Sequence, residues 1–362
     1  MSVILFIIIL AVLVLVHELG HFLVAKKSGI KVREFGIGFP PRIWGKQKGE
    51  TLYSINAIPF GGFVKILGEN PDAESISGPE KERSLIHKSK IIQVWVLSAG
   101  VIFNVIFAWL LISAGFIFGL PTPVTEAQDQ VANPKVVVTT VAVGSPAEIA
   151  GIKAGDSISK ISSDNNTLTD VTAQSVSNFI EANGDKKITV EHIRGKEVLT
   201  SSVVPQDGVV TGRKAIGVSL DMIGILKLPI HKALVEGAQT TANLTVAITV
   251  GLFDFLKQAV TGQADFSQVA GPVGIVGLVG DVSQLGFIFI LSFTAFISIN
   301  LAVINLIPIP ALDGGRILFV IIEAIKGSPI KPKIANILNT IGFALLILLM
   351  VIVTFNDIIK LF

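Results

Sequence analysis

Long uninterrupted apolar runs, rather than the short alternations of a soluble domain, dominate the pattern of this chain. A helix crosses the roughly 30 Å hydrocarbon core of a bilayer with about 20 residues. Four runs are long enough: about Val3 to Val24, Ile91 to Leu120, about Leu285 to Ile307, and about Ile334 to Val353. They predict a polytopic α-helical membrane protein with transmembrane helices over residues 1–25, 91–120, 285–307 and 334–357. Strongly polar chemistry interrupts the first and leads out of the third; the second and fourth are free of it.

Between the runs the periodicity changes. Within residues 26–90, "TLYSINAIPFGGFVKILGE" alternates apolar and polar positions on both sides of Pro59-Phe60-Gly61-Gly62, which predicts a β-hairpin over about 51–68. It is too apolar for an ordinary loop and is expected to lie against the membrane domain, since backbone at that depth must be buried in protein or line a cavity. After a Pro/Thr linker from Pro121 to Pro134, residues 134–206 have the composition of a soluble domain. Their strands, small-residue turns and short helices, with the spacing "GSPA…AG…AGD", resemble a PDZ domain of membrane and periplasmic proteases. Residues 230–260 read as an amphipathic interfacial helix, because the apolar core from Leu244 to Phe253 is short for a fifth span.

Composition supports the membrane reading: 51% of residues are hydrophobic and 15% charged. A net charge of +2, with no Lys/Arg run interleaved with aromatics, points away from nucleic acid. With no cysteine, thiolate metal sites and disulfides are excluded, so any metal must use His, Asp or Glu. Twelve Lys and Arg between Lys26 and Lys90, and the group Arg316, Lys326, Lys331 and Lys333, put both stretches on the cytoplasmic side by the positive-inside rule. Residues 121–284 and the N-terminus are then expected outside a plasma (inner) membrane. The first run has no basic stretch before it and no small-x-small site before His17, so it reads as a retained helix, not a cleaved leader.

Chemistry concentrates in "LVLVHELGHFLVAKK". His17-Glu18-Leu19-Gly20-His21 is an H-E-x-x-H pentapeptide: a helix brings two imidazoles onto one face at i and i+4, with a glutamate beside them as a candidate base. Three ionisable side chains in an apolar helix are costly and mark function. Neutral imidazole suits zinc, and catalytic zinc takes three protein ligands and leaves one position open, so a third ligand is needed. Asp313 is the best candidate, after Pro308 and Pro310 and before Gly314-Gly315; the alternative is an ordinary helix cap.

His17-Glu18-Leu19-Gly20-His21, paired with "NLIPIPALDGG" from Asn305 to Gly315, resembles the site-2 proteases, intramembrane zinc metalloproteases whose bacterial branch includes the regulator of sigma-E protease. The "PFGGFVK" stretch and a single PDZ-like domain between the second and third spans match the same branch, and the likeness covers the whole chain. It implies Zn2+ held by His17, His21 and Asp313, Glu18 as the catalytic base, and substrate contacts from Asn300 and Asn305. Single-span membrane proteins, such as anti-sigma factors or signal-peptide remnants, are the substrates it implies, with membrane lipid as the surroundings. An extended substrate is expected to pair with the hairpin that carries Gly61, Gly62 and Phe63. Two features depart from the family pattern: one PDZ-like domain stands where enterobacterial members have two, and Ala99-Gly100-Val101 replaces a Gly-Pro before Asn104. Gly100 and Asn104 are accordingly read as a helix-packing face. The rival readings are an inactive scaffold or chaperone working through the PDZ-like domain, and a metal transporter; the sequence fixes no oligomeric state.

Overall fold

The computed structural model describes residues 1–70, 73–124, 131–164, 166–168, 170–195, 197–210, 213–263 and 269–360. In chain order the helices are α1 (Ser2–Lys27), α2 (Ala73–Ser77), α3 (Lys90–Phe118), α4 (Pro146–Ile149), α5 (Ala173–Ala182), α6 (Ile230–Val260), α7 (Pro272–Leu285), α8 (Phe287–Leu306), α9 (Asp313–Lys326) and α10 (Pro332–Ile359). Two compact units divide the chain: residues 1–113, 234–282 and 290–362 form the first, residues 114–233 and 283–289 the second.

Among the described residues four helices, α1, α3, α8 and α10, are long and apolar enough to cross a membrane. They coincide with the four runs read from the sequence, and the chain is a multi-pass membrane protein. Small residues let the helices of the first unit touch: a Cβ on Gly20 of α1 would lie 2.5 Å from the carbonyl oxygen of Ala99 on α3. Ser298 of α8 donates its hydroxyl to the carbonyl of Asn104 on α3 at 2.8 Å. The expected helix over 230–260 is α6, an apolar-and-polar helix that does not qualify as a span. Helix α7, 14 residues long, escaped the sequence reading because it is too short to announce itself as a span.

The hairpin is wired differently from the expectation. Strands β1 (Val32–Lys48) and β2 (Thr51–Ile66) pair along most of their length, with the tight turn at Gly49-Glu50, not at Pro59-Gly62. Glu34, Phe35, Gly36 and Ile37 have partners on both flanks: Leu52, Tyr53, Ser54 and Ile55 on one, Lys65, Val64, Phe63 and Gly62 on the other. The two arms of the expected hairpin are therefore separated by Val32–Ile37, and residues 62–66 form an outer edge. Gly36, Gly38 and Pro40-Pro41 break the alternation of β1, so its strand character was hidden. Phe22 of α1 packs on Phe35 and Tyr53, ring centroids 5.0 and 6.0 Å away, and fastens the sheet to the first helix.

In the second unit β3 (Leu120–Pro123), β4 (Val131–Val141), β5 (Ser157–Ser163), β6 (Asn166–Thr167), β7 (Ile188–Arg194), β8 (Glu197–Val203) and β11 (Val218–Leu226) form a sheet of order β3-β11-β4-β5-β7-β8, with β6 on β5. A separate pair is β9 (Gln206–Val210) with β10 (Arg213–Ala215). Val136, Val138, Ile158, Ile161, Val190 and Phe179 of α5 fill the core. The sheet runs beyond the expected limits of 134–206: β11 supplies the second partner of β4, and Pro134, expected in a linker, lies in a strand. The middle of that linker, residues 125–130, falls outside the described residues.

A buried polar chain crosses this sheet. Asp156, fully buried, accepts from Arg194 Nε and Nη2, both at 2.7 Å, and from the Lys153 N–H at 2.9 Å, and lies 2.8 Å from His192 Nδ1. His192 Nε2 meets Ser201 Oγ at 3.0 Å, and that hydroxyl donates to the carbonyl of Ala150. Burial pushes the Asp156 carboxyl up, but Arg194 and the Lys153 N–H outweigh it and hold the group below the ordinary range. Burial holds the His192 imidazole below its ordinary value despite the neighbouring Asp156.

Candidate metal centre and active site

Helical spacing puts His17 and His21 on one face of α1, one turn apart, with ring centroids 4.8 Å apart. Both residues are buried, each 7% exposed. Asp313 reaches them from the first residue of α9: its Oδ2 lies 3.0 Å from His17 Nε2 and 3.4 Å from His21 Nε2, and the two Nε2 atoms are 3.2 Å apart. These three side chains are the one group of His and carboxylate ligands among the described residues able to hold a metal ion. Asp313 does not act as a helix cap, since Leu312 occupies the N-cap and no side-chain cap bond forms.

The donor set fits zinc. Zn–N and Zn–O bonds of about 2.0–2.1 Å in a tetrahedron place ligand atoms about 3.3–3.4 Å apart, which the observed triangle approaches. Asp313 Oδ2 is buried and receives no hydrogen bond, as an atom reserved for a cation would be. Around the triangle the ring orientation is fixed. His21 Nδ1 lies 2.8 Å from the Val96 carbonyl, so Nδ1 carries the proton and the Nε2 lone pair is free to coordinate. His17 Nδ1 lies 3.4 Å from the Asn104 amide nitrogen, while Asn104 Oδ1 is buried without a partner. Turning that amide over pairs Oδ1 with a protonated Nδ1 and satisfies both, which frees His17 Nε2 as well.

Gly100 completes the cradle. A Cβ there would lie 2.5 Å from His17 Cε1 and from His21 Nε2. Gly100 and Asn104, read from the sequence as packing residues only, thus line the metal face. Their signal was the four-residue spacing on α3, one turn apart, which by itself does not separate packing from ligand support.

Glu18, next in sequence to His17, is anchored from the sheet: its Oε2 accepts the backbone N–H of Val64 at 3.0 Å. Asp313 is delivered by a compressed turn. A Cβ on Gly314 would lie 2.5 Å from Leu306 C, and one on Gly315 2.6 Å from Ile309 C, so only glycine lets α9 start against the end of α8. The Arg316 guanidinium, one turn into α9, pairs with Glu69 just beyond β2, tying the helix of Asp313 to the strand of Val64.

The remaining expected residues stand further out. Gly61, at φ +93, packs where a Cβ would be 2.8 Å from Val14 Cγ1, and a Cβ on Gly62 would be 2.7 Å from the Gly36 oxygen. Both make room for the sheet against α1 and against itself. Phe63 stacks on Phe39 with centroids 6.3 Å apart and lies under Lys65. Asn300 donates to the Phe296 carbonyl of its own helix, and Asn305 sits in the last turn of α8.

Two imidazoles on a helix able to cross a membrane, a converging carboxylate from α9 and a second carboxylate beside them are the arrangement of an intramembrane metal-dependent hydrolase. The profile of peptidase family M50 matches residues 5–349. The chain belongs to this family, the site-2 proteases, and is a zinc metalloendopeptidase. It is 32% identical, over an alignment of 438 positions, to the regulator of sigma-W protease RasP of Bacillus subtilis, covering 100% of this chain and 99% of that one. Zinc metalloprotease RasP of Bacillus licheniformis is also 32% identical, over 100% and 99% of the two chains. The Oceanobacillus iheyensis protein of the same name is 31% identical, again over 100% and 99%.

Proposed function

We propose that His17, His21 and Asp313 are the zinc ligands and Glu18 the general base of an endopeptidase that cuts single-span membrane proteins. The convergence of the three ligand atoms within hydrogen-bonding distance, with Glu18 on the same helical turn, carries this reading. Zinc, when bound, supplies Lewis acidity and lowers the pKa of water toward about 7. Glu18 accepts the proton of the attacking water and returns it to the leaving amine. Asn104 and the Val96 carbonyl hold the imidazoles in the tautomer that leaves both Nε2 atoms unprotonated.

The substrate is read as an extended strand laid along residues 62–66. Among the described residues that edge has no strand partner on the side where Val64 meets Glu18, so a peptide added to it passes beside the proposed base. Gly62 and Phe63 then act by shaping the edge, and Asn300 and Asn305 by contacting the peptide backbone where α8 ends.

The PDZ-like reading extends to the second unit. A cavity of about 350 Å³ lies between α5 and the stretch Ala215–Leu220, lined by Gln174, Ser177 and Ile180. It suits either capture of a new C-terminus or exclusion of uncut substrates. By the positive-inside argument this unit lies outside the plasma membrane, as does the N-terminus, and the sheet of β1 and β2 lies on the cytoplasmic side. Anti-sigma factors are a substrate class in keeping with the relative named regulator of sigma-W protease, and signal-peptide remnants are the second class the family resemblance implies.

The test is Glu18→Gln in the full-length protein, assayed on a single-span substrate in detergent or liposomes. The proposal predicts native zinc content with cleavage abolished; cleavage at the native rate overturns Glu18 as the base.

A further inference from the structure

We infer that Asn339 and Gly342 of α10 are positioning residues for the third metal ligand: the last membrane helix holds the turn that aims Asp313. The inference rests on the proposed ligand role of Asp313.

The turn from Ile307 to Leu312 is held only in part by its own hydrogen bonds. Ala311 adopts φ +83, a conformation that a residue with a Cβ rarely takes. Within the turn Ile309 N–H donates to the Ile307 carbonyl at 2.7 Å and Leu312 N–H to the Ile309 carbonyl at 3.1 Å. The Ala311 N–H instead finds its acceptor on another helix: Asn339 Oδ1 at 3.2 Å, 28 residues on. Three residues further along the same face of α10, a Cβ on Gly342 would lie 2.7 Å from the Pro310 carbonyl carbon, so the helix backbone rests directly on the turn. Gly342 is one of the three buried residues of α10, with Val353 and Asp357.

The opposite end of α10 is also fixed. Asp357, 4% exposed, accepts the N–H groups of Gly271 at 3.1 Å and Gly274 at 2.8 Å at the start of α7. With its height set there, α10 presents Asn339 and Gly342 to residues 310 and 311 at one register. Slackening either contact lets the turn relax from φ +83 and swings Asp313, two residues on, away from the imidazoles. Neither Asn339 nor Gly342 touches the metal face; both act through Asp313.

The test measures zinc retention by the purified full-length protein against a graded competing chelator, comparing the native chain with Asn339→Ala, Asn339→Asp, Gly342→Ala and Asp313→Ala. Supporting outposts of metal ligands cost about 10–100-fold in metal affinity when removed, and Asn339→Ala is expected to fall in that range. Asn339→Asp keeps an acceptor oxygen and is expected to retain zinc within a few-fold of native. Thermal unfolding of the zinc-free proteins separates positioning from folding: apo Asn339→Ala is expected to melt with the native apo chain. If Gly342→Ala does not fold, the Asn339 pair still decides. Native zinc retention by Asn339→Ala, in a chain where Asp313→Ala loses zinc, overturns this inference and leaves the ligand reading intact. Retention of zinc by Asp313→Ala overturns the ligand reading itself.

Discussion

Val64 donates its backbone N–H to the carboxylate of Glu18 at 3.0 Å, so the outermost strand of the sheet of β1 and β2 is hydrogen-bonded to the residue next to His17 in the cluster of His17, His21 and Asp313. Val64 faces Phe35 in the register, yet its N–H turns away from that partner and toward α1. One strand thus orients Glu18, the proposed base, and borders the proposed path of the substrate.

Replacing Val64 by proline removes that donor and leaves His17, His21 and Asp313, the proposed ligands, untouched. Cleavage is expected to fall by about 10²-fold or more, the range general-base catalysis supplies, while zinc content stays native. Steady-state cleavage together with metal analysis checks it. Loss of zinc along with activity would place the effect on the fold instead.

Two glycines on the contact between α1 and α3 should fail differently. Gly100→Ala puts a methyl 2.5 Å from His17 Cε1, and zinc affinity is expected to drop about 10–100-fold. Gly20→Ala meets the backbone of Ala99 at 2.5 Å, so thermal stability should fall, since backbone cannot turn aside as a side chain can. Chelator competition and thermal unfolding distinguish the two.

The second unit is expected to weaken in acid. His192 is held below its ordinary value, so the folded state favours the neutral ring; its contribution is complete above about pH 6.5 and is lost as pH falls below that. Asp156, also held low, adds a second loss on falling below its ordinary value of about 3.8. Unfolding of the full-length chain between pH 7.5 and 5.5 should show declining stability, and His192→Gln should flatten that decline. A slope unchanged by His192→Gln would assign it to other groups.

Much of this was legible in the sequence because membrane solvation leaves a coarse signal. The spans appear as apolar runs, and His17, Glu18, His21 and Asp313 are conspicuous against them. The wiring of the sheet was not, because Gly36, Gly38 and the Pro40-Pro41 pair interrupt β1, and the strand lying between the two arms of β2 is chosen by tertiary pairing. Strand β11 escaped for a similar reason: it exists as the second partner of β4, across 77 residues from Val141 to Val218. Gly100 and Asn104 could not be told from packing residues until the imidazoles were seen against them. Asn339 and Ala311 are joined by a turn conformation that no periodicity encodes.

Zinc K-edge X-ray absorption on the purified protein tests the central claim most directly. The account predicts one zinc per chain with nitrogen and oxygen ligands at about 2.0–2.1 Å, two of them imidazoles, and one oxygen scatterer fewer or zinc lost in Asp313→Ala. A native protein that binds no zinc, or a zinc shell unchanged by substituting Asp313 or the two histidines, would contradict it.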